Sequence, residues 1–156
     1  MSSIFEGFLS TPEVLELYSE RQIVEAMLRF EASLARAQAS VGLIPEAAAL
    51  SIIGTCKVEL FDVTKIVRES VRAGSVAILL VKSLTETVGL FNKDAARFVH
   101  FGTTSQDVLD TAMALVTRDA LDMIEVDVRK AITALLLLAE RHAADAVLAR
   151  TFMQPA

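Results

Sequence analysis

Cysteine occurs once, at Cys56, so the chain can form no internal disulfide and suits a reducing compartment. Its two histidines, His100 and His142, stand far from each other and from Cys56, which gives no metal-ligand spacing. Long apolar runs are missing too. The longest, residues 134–139, is far too short to cross a bilayer, and Met1-Ser2-Ser3-Ile4-Phe5-Glu6 has neither the basic nor the apolar segment of a secretory leader. Net positive charge is absent: the formal charge is -5 and the pI is near 5.0, which argues against nucleic acid as a partner. An anionic substrate stays open, because a site responds to its local field. These absences point to a cytoplasmic protein with no metal, no membrane and no nucleic acid partner. No alternating β-branched stretch of useful length occurs either, which leaves an all-α chain.

Apolar residues are what the sequence has in quantity. They make up 53%, against 22% charged, which is enough for a real core, and a mean hydropathy of +0.49 is high for a chain of this size. The surplus suggests apolar stripes covered by other helices, including helices of other subunits.

Helix signals follow in order along the chain. Ser10-Thr11-Pro12-Glu13 reads as a start, with a hydroxyl cap, a proline at the first position and an acid in the first turn. The short helix behind it carries Val14, Leu15 and Tyr18. Ser19 caps a second helix that runs to about Val41 and stops at Gly42. Its predicted buried face is Ile23, Met27, Phe30, Leu34, Ala37 and Val41, opposite Glu20, Arg21, Glu25, Arg29 and Arg36. Pro45 begins a helix to about Thr55. Asp62 caps another, with Val63, Ile66, Val67 and Val71 inward and an end near Gly74. Ser75 opens a helix over residues 76–88, closed by Gly89. Asn92 starts a brief turn, and Phe98-Val99-His100-Phe101 could be extended.

From about residue 105 to 149 the pattern is helical throughout, with no Gly or Pro. Val108, Ala112, Leu115, Val116, Met123, Val126 and Ile132 mark one apolar band, and residues 135–138 are apolar all round. Such a helix would extend ~65 Å, which a monomer of this size cannot bury. Partner helices from elsewhere, or from further copies, are therefore expected.

At the mouth of this rod stands His100-Phe101-Gly102-Thr103-Thr104-Ser105-Gln106-Asp107-Val108-Leu109-Asp110-Thr111. A hydroxyl-rich loop opening a long helix can hold an anion, since the first backbone N–H groups point outward and the helix dipole favours negative charge. Thr104 and Ser105 add side-chain donors, and Gly102 lets the backbone approach a ligand. A plainer account also fits: Thr104 and Ser105 as a cap pair, with Asp107 and Asp110 as first-turn acids that complement the dipole. His142 reads as a solvated or structural residue. No nucleophile triad, phosphate loop or paired-carboxylate spacing stands out, so the residues alone give a helical, oligomer-prone chain with a candidate anion site and no reaction.

The same segment matches the pattern H-[aromatic]-G-x-T-S-x-D-[VI]-x-D-T and resembles the first signature of the fumarase/aspartase/adenylosuccinate lyase superfamily. Its T-S-Q-D form is similar to the bacterial 3-carboxy-cis,cis-muconate cycloisomerase branch. Ser10-Thr11-Pro12-Glu13, Leu79-Leu80-Val81-Lys82-Ser83-Leu84 and Arg150-Thr151-Phe152-Met153-Gln154 resemble further segments of that branch. The resemblance implies an N-terminal helical domain over 1–103 and, over 104–156, the start of a central lyase-type helical bundle. It implies a metal- and cofactor-independent cycloisomerase of aromatic catabolism, in the protocatechuate branch of the β-ketoadipate pathway. Its substrate would be a small tricarboxylate diene, and its assembly a homotetramer with shared active sites.

Carried over residue by residue, Thr104, Ser105 and Gln106 would bind substrate carboxylate, with His100 and Ser105 at the catalytic centre. Arg150, Thr151 and Gln154 would complete the substrate pocket. Phe152 and Pro155 stand where related lyases place histidines, so the resemblance names no general acid there. It further implies the N-terminal portion of a longer enzyme, inactive by itself. Two other readings are another superfamily lyase, adenylosuccinate lyase-like, which Phe152 and Pro155 disfavour, and a non-catalytic helical assembly module.

Overall fold

The computed structural model describes residues 4–146, 150–152 and 154–155. The chain is all-α, as its sequence pattern requires. The helices are α1 (Ile4–Leu9), α2 (Pro12–Leu17), α3 (Glu20–Ser40), α4 (Glu46–Thr55), α5 (Val63–Ala73), α6 (Val76–Phe91), α7 (Lys93–Ala96) and α8 (Ser105–Arg141), with a short 3-10 turn at Val58–Leu60. Two dipeptides, β1 (Arg150–Thr151) and β2 (Gln154–Pro155), pair antiparallel. The chain forms two compact units, Met1–Ala120 and Leu121–Ala156, so the division falls inside α8. The physical reason lies in the first four turns of that helix: Val108, Ala112, Val116 and Ala120 are all buried in the first unit.

The helix starts follow the expected chemistry. The Thr11, Ser19, Asp62, Ser75 and Asn92 side chains each accept a backbone N–H from the first turn they precede. At the other end of α3, Gly42 takes φ 74°, and the Leu43 and Gly42 N–H groups reach Gln38 O (2.8 Å) and Ala39 O (3.0 Å). This paired closure of the last turn needs a left-handed residue, which glycine supplies without strain.

The core of the first unit brings α3, α4, α6 and the start of α8 together. Val24, Met27, Leu28, Ile52, Leu80, Leu84, Val88 and Val108 are its largest fully buried apolar side chains. In α6 the buried residues Ala77, Leu80, Leu84 and Val88 recur every three or four positions, one stripe of a helix.

Several local expectations need correction. The fully buried face of α3 is Val24, Met27, Leu28, Glu31, Ala35 and Gln38, rotated from the predicted one; of the latter Met27 is buried and Ile23 and Phe30 pack half-buried against the core, but Val41 and Ala37 are exposed. The predicted stripe chose apolar positions only, and the true one passes through two polar residues with work to do. Val71 is 84% exposed, since α5 turns only Ile66 fully into the core. Gly89 does not close α6, which continues to Phe91 and ends where Asn92 becomes extended. Residues 98–101 form turns instead of an extended segment, continuing the end of α7 with Phe98 N–H to Ala95 O (3.0 Å) and Val99 N–H to Ala96 O (3.3 Å).

The long helix is shorter than expected, stopping at Arg141 after 37 residues, about 55 Å of rise. There the bonding tightens to three-residue spacing, with Ala143 N–H to Glu140 O and Asp145 N–H to His142 O. The Asp145 carboxylate also holds His142 Nδ1 at 2.6 Å. In the second unit, Ile124, Val126, Val128, Ile132 and Leu135 to Leu138 are all exposed. No helix among the described residues is long and apolar enough to cross a membrane.

Candidate functional site

The turn between α7 and α8 carries the candidate residues, and its backbone is unusual. His100 sits at φ 57° and Gly102 at φ 70°, both left-handed. A non-glycine residue held there costs ~1–2 kcal/mol, so surrounding contacts must fix it. Two contacts from α3 do so. Glu31 Oε1 lies 2.6 Å from His100 Nδ1, and Gln38 Nε2 donates to the Phe101 carbonyl at 2.6 Å. The Phe98 and Phe101 rings meet edge to face, 6.2 Å between centroids.

Glu31 is 1% exposed and the His100 side chain 17%. Burial pushes the Glu31 carboxyl above its ordinary range, and the His100 hydrogen bond and charge pull back against that rise. Removing one partner of such a buried pair typically costs ~3–5 kcal/mol, because the other is left uncompensated. Cys56 lies in the same field. Burial first, then the negative charge of Glu31, lifts its thiol to about 12, so it is a poor nucleophile in the folded chain.

The start of α8 closes on itself. Asp107 Oδ2 accepts from the Thr104 backbone N–H (2.9 Å), the Thr103 hydroxyl (2.9 Å) and the Thr104 hydroxyl (3.1 Å). The Asp107 N–H reaches back to Thr104 Oγ1 at 3.5 Å. This is a reciprocal capping box with aspartate in the third helical position. The Thr104 backbone N–H, then the Thr103 and Thr104 hydroxyls, hold the Asp107 carboxyl below its usual range. Gln106 Nε2 donates to Asp110 Oδ1 at 2.6 Å.

The structure therefore gathers His100, Thr104, Ser105 and Gln106 at one turn, and it distributes their donors unequally. The Thr104 hydroxyl and one N–H of the Gln106 amide are engaged by Asp107 and Asp110. The Ser105 hydroxyl, the backbone N–H groups of Ser105 and Gln106, and His100 Nε2 make no hydrogen bond among the described residues. The three donors at the helix start suit a carboxylate, which is planar, acceptor-only and drawn to a helix N-terminus; His100 Nε2 adds a fourth only when both ring nitrogens carry protons. No group of acids, histidines and cysteine among the described residues is arranged to hold a metal. Arg150 and Thr151 form β1 and Gln154 belongs to β2, with Thr151 opposite Gln154 in the hairpin. Their side chains lie outside the described residues, as does Met153, and the hairpin belongs to the second unit.

Glu31 and Gln38 are the site-supporting residues that the pattern of apolar positions hides. A signal was available: both are polar and seven residues apart, in register with Val24, Met27, Leu28 and Ala35.

Comparison with known proteins places this geometry in context. The lyase family profile matches residues 9–156. The chain is 40% identical over 155 residues to 3-carboxy-cis,cis-muconate cycloisomerase of Pseudomonas putida, covering 99% of this chain and 37% of that protein. Against the protein of the same name from Bradyrhizobium diazoefficiens it is 41% identical, covering 100% of this chain and 35% of that one. The crystal structure of the β-carboxy-cis,cis-muconate cycloisomerase of Acinetobacter calcoaceticus superposes with a TM-score of 0.91 at 36% identity, over 99% of this chain and 36% of that one. The chain thus spans about a third of the length of the relatives it matches. With a profile match over almost its whole length and a shared helical fold, the chain belongs to the lyase family of the fumarase/aspartase superfamily.

Proposed function

We propose that this chain contributes the first carboxylate-binding segment of a 3-carboxy-cis,cis-muconate cycloisomerase. The observation that carries the reading is the turn at residues 100–106, where the open donors of one helix start stand beside one oriented histidine. About 40% identity to relatives of that name supports the choice of substrate class.

The chemistry sets what such a site must do. One carboxylate oxygen of the substrate adds to a carbon of the diene, forming a C–O bond. The displaced π electrons move onto the carbon next to a second carboxylate, giving aci-carboxylate character, and a proton then closes the new C–H bond. The lactone forms with net uptake of one proton. Catalysis requires donors placed where the charge develops and an acid to supply the proton. In this reading the Ser105 hydroxyl and the Ser105 and Gln106 N–H groups hold a substrate carboxylate. His100 Nε2 works beside them as donor or orienting group. The Thr104 hydroxyl, tied to Asp107, shapes the loop and donates to substrate only if that bond opens, whereas the Gln106 amide gives one N–H to Asp110 and keeps its second for substrate. Arg150, Thr151 and Gln154 are further substrate-binding residues of the assembled enzyme.

The full enzyme assembles as a homotetramer with sites shared between subunits, acts in the cytoplasm without metal or organic cofactor, and the isolated 156-residue chain does not turn over substrate. Ligand-linked stability tests the binding role. A tricarboxylate analogue should raise the melting temperature of the assembled enzyme in proportion to its occupancy, and Ser105→Ala should weaken that rise. A helical scaffold with the loop as a mere cap would melt at one temperature with or without the analogue.

A further inference from the structure

Two polar side chains interrupt the buried face of α3, and both reach the same turn. Glu31 meets the imidazole of His100, and Gln38, seven residues on, meets the carbonyl of Phe101. The first contact fixes a ring and the second fixes the backbone immediately beside it. For stability alone this arrangement is poorly chosen. A buried carboxylate is expensive to desolvate, and apolar groups of similar volume would pack as well or better. The Gln38 amide oxygen is buried and finds no partner among the described residues, a further cost that the Phe101 contact must offset. What the pair secures is orientation: His100 is held left-handed, with its Nδ1 occupied and only Nε2 uncommitted among the described residues.

We propose that Glu31 is a positioning residue of the site: it accepts the Nδ1–H of His100 and so dedicates Nε2 to the ligand. The inference rests on the cycloisomerase reading only for what Nε2 meets; the pairing itself rests on the 2.6 Å contact and its burial. A carboxylate on one ring nitrogen sets the tautomer and the orientation of the ring, which decides what the other nitrogen presents to the ligand. Gln38 keeps that nitrogen in place by fixing the following residue.

The test uses the assembled enzyme labelled with 15N-histidine, with signals of this segment assigned by comparing His142→Gln and His100→Asn variants. The expected result is a far-downfield, slowly exchanging Nδ1–H proton on His100. It should move upfield in Glu31→Gln, where an amide oxygen replaces the carboxylate, and vanish in Glu31→Leu. Should the leucine variant fail to fold, the glutamine variant still decides the matter. A wild-type His100 without a proton on Nδ1, or a resonance unmoved in Glu31→Gln, would overturn the pairing. Activity supplies the second arm: Glu31→Gln should lower kcat about tenfold or more, with Glu31→Asp recovering part of it. A shifted resonance with unchanged kcat would overturn the positioning role. If the wild-type enzyme leaves carboxymuconate untouched, the functional reading fails while the spectroscopic arm still reports on the pair.

Discussion

Glu31 Oε1 and His100 Nδ1 lie 2.6 Å apart across 69 residues of sequence, joining the buried face of α3 to the turn that opens α8. The contact ties a core helix to the segment that carries the family's first signature. It makes the position of that segment a property of the folded core and not of the loop alone.

The raised pKa of Glu31 gives the contact a pH signature. The folded state binds the carboxyl proton more tightly than the unfolded chain, so this group's contribution is fully present below its unfolded value of about 4.5. It is lost as pH rises through the folded value. Glu31→Gln carries no such titration. Relative to wild type, the variant should therefore gain stability as pH rises from about 4.5 through the raised folded value, as read from urea melts at stepped pH. A wild type that gains on the variant over that interval would contradict the assignment.

Asp107 should behave in the opposite sense. Its folded pKa is lowered by the Thr104 N–H and the two threonine hydroxyls. Its contribution is present above the unfolded value of about 3.8 and lost as pH falls through the folded one. Asp107→Asn should melt below wild type at neutral pH, and the two melting curves should converge in acid. A gap that persists unchanged in acid would show that the capping box does not depend on the charge.

The Cys56 thiol, lifted to about 12, should resist alkylation in the native protein and react fast once unfolded. Because Glu31 contributes to that lift, Glu31→Gln should speed native labelling, and iodoacetamide kinetics at mildly alkaline pH would show it. An unchanged native rate would mean that the thiol does not sense the carboxylate.

Much of the fold was legible because caps and stops are local. Thr11, Ser19, Asp62, Ser75 and Asn92 each announced a helix through a side chain that can reach its first turn. The start of α8 was legible for the same reason. The burial phase of α3 was not: hydrophobicity alone favoured Phe30, Leu34 and Val41, whereas the helix turns Glu31 and Gln38 inward to partners more than sixty residues away. That choice is a tertiary fact with no local cause. The end of α8 was hidden similarly, because an Ala-rich sequence does not reveal that His142 and Asp145 will close a turn. At the site, Ser105 and Gln106 could be read as an open helix start, but the diversion of the Thr104 hydroxyl to Asp107 needed coordinates.

Two positions test the observed packing, one buried and one exposed. Leu80 is fully buried, so Leu80→Ala should cost ~2–5 kcal/mol by chemical denaturation. Val71, expected inward but 84% exposed, should tolerate alanine within about 0.5 kcal/mol. A costly Val71→Ala would mean that α5 buries a different face.

Turnover is the most direct measurement. The complete enzyme containing this chain, shown to be a tetramer, would be mixed with 3-carboxy-cis,cis-muconate while the diene absorbance is followed and the product is identified. The account predicts rapid loss of the diene band with one equivalent of lactone formed, and strong impairment in Ser105→Ala and His100→Asn. An intact tetramer that leaves the diene unchanged would contradict it, and would direct attention to fumarate-forming substrates bound at the same helix start.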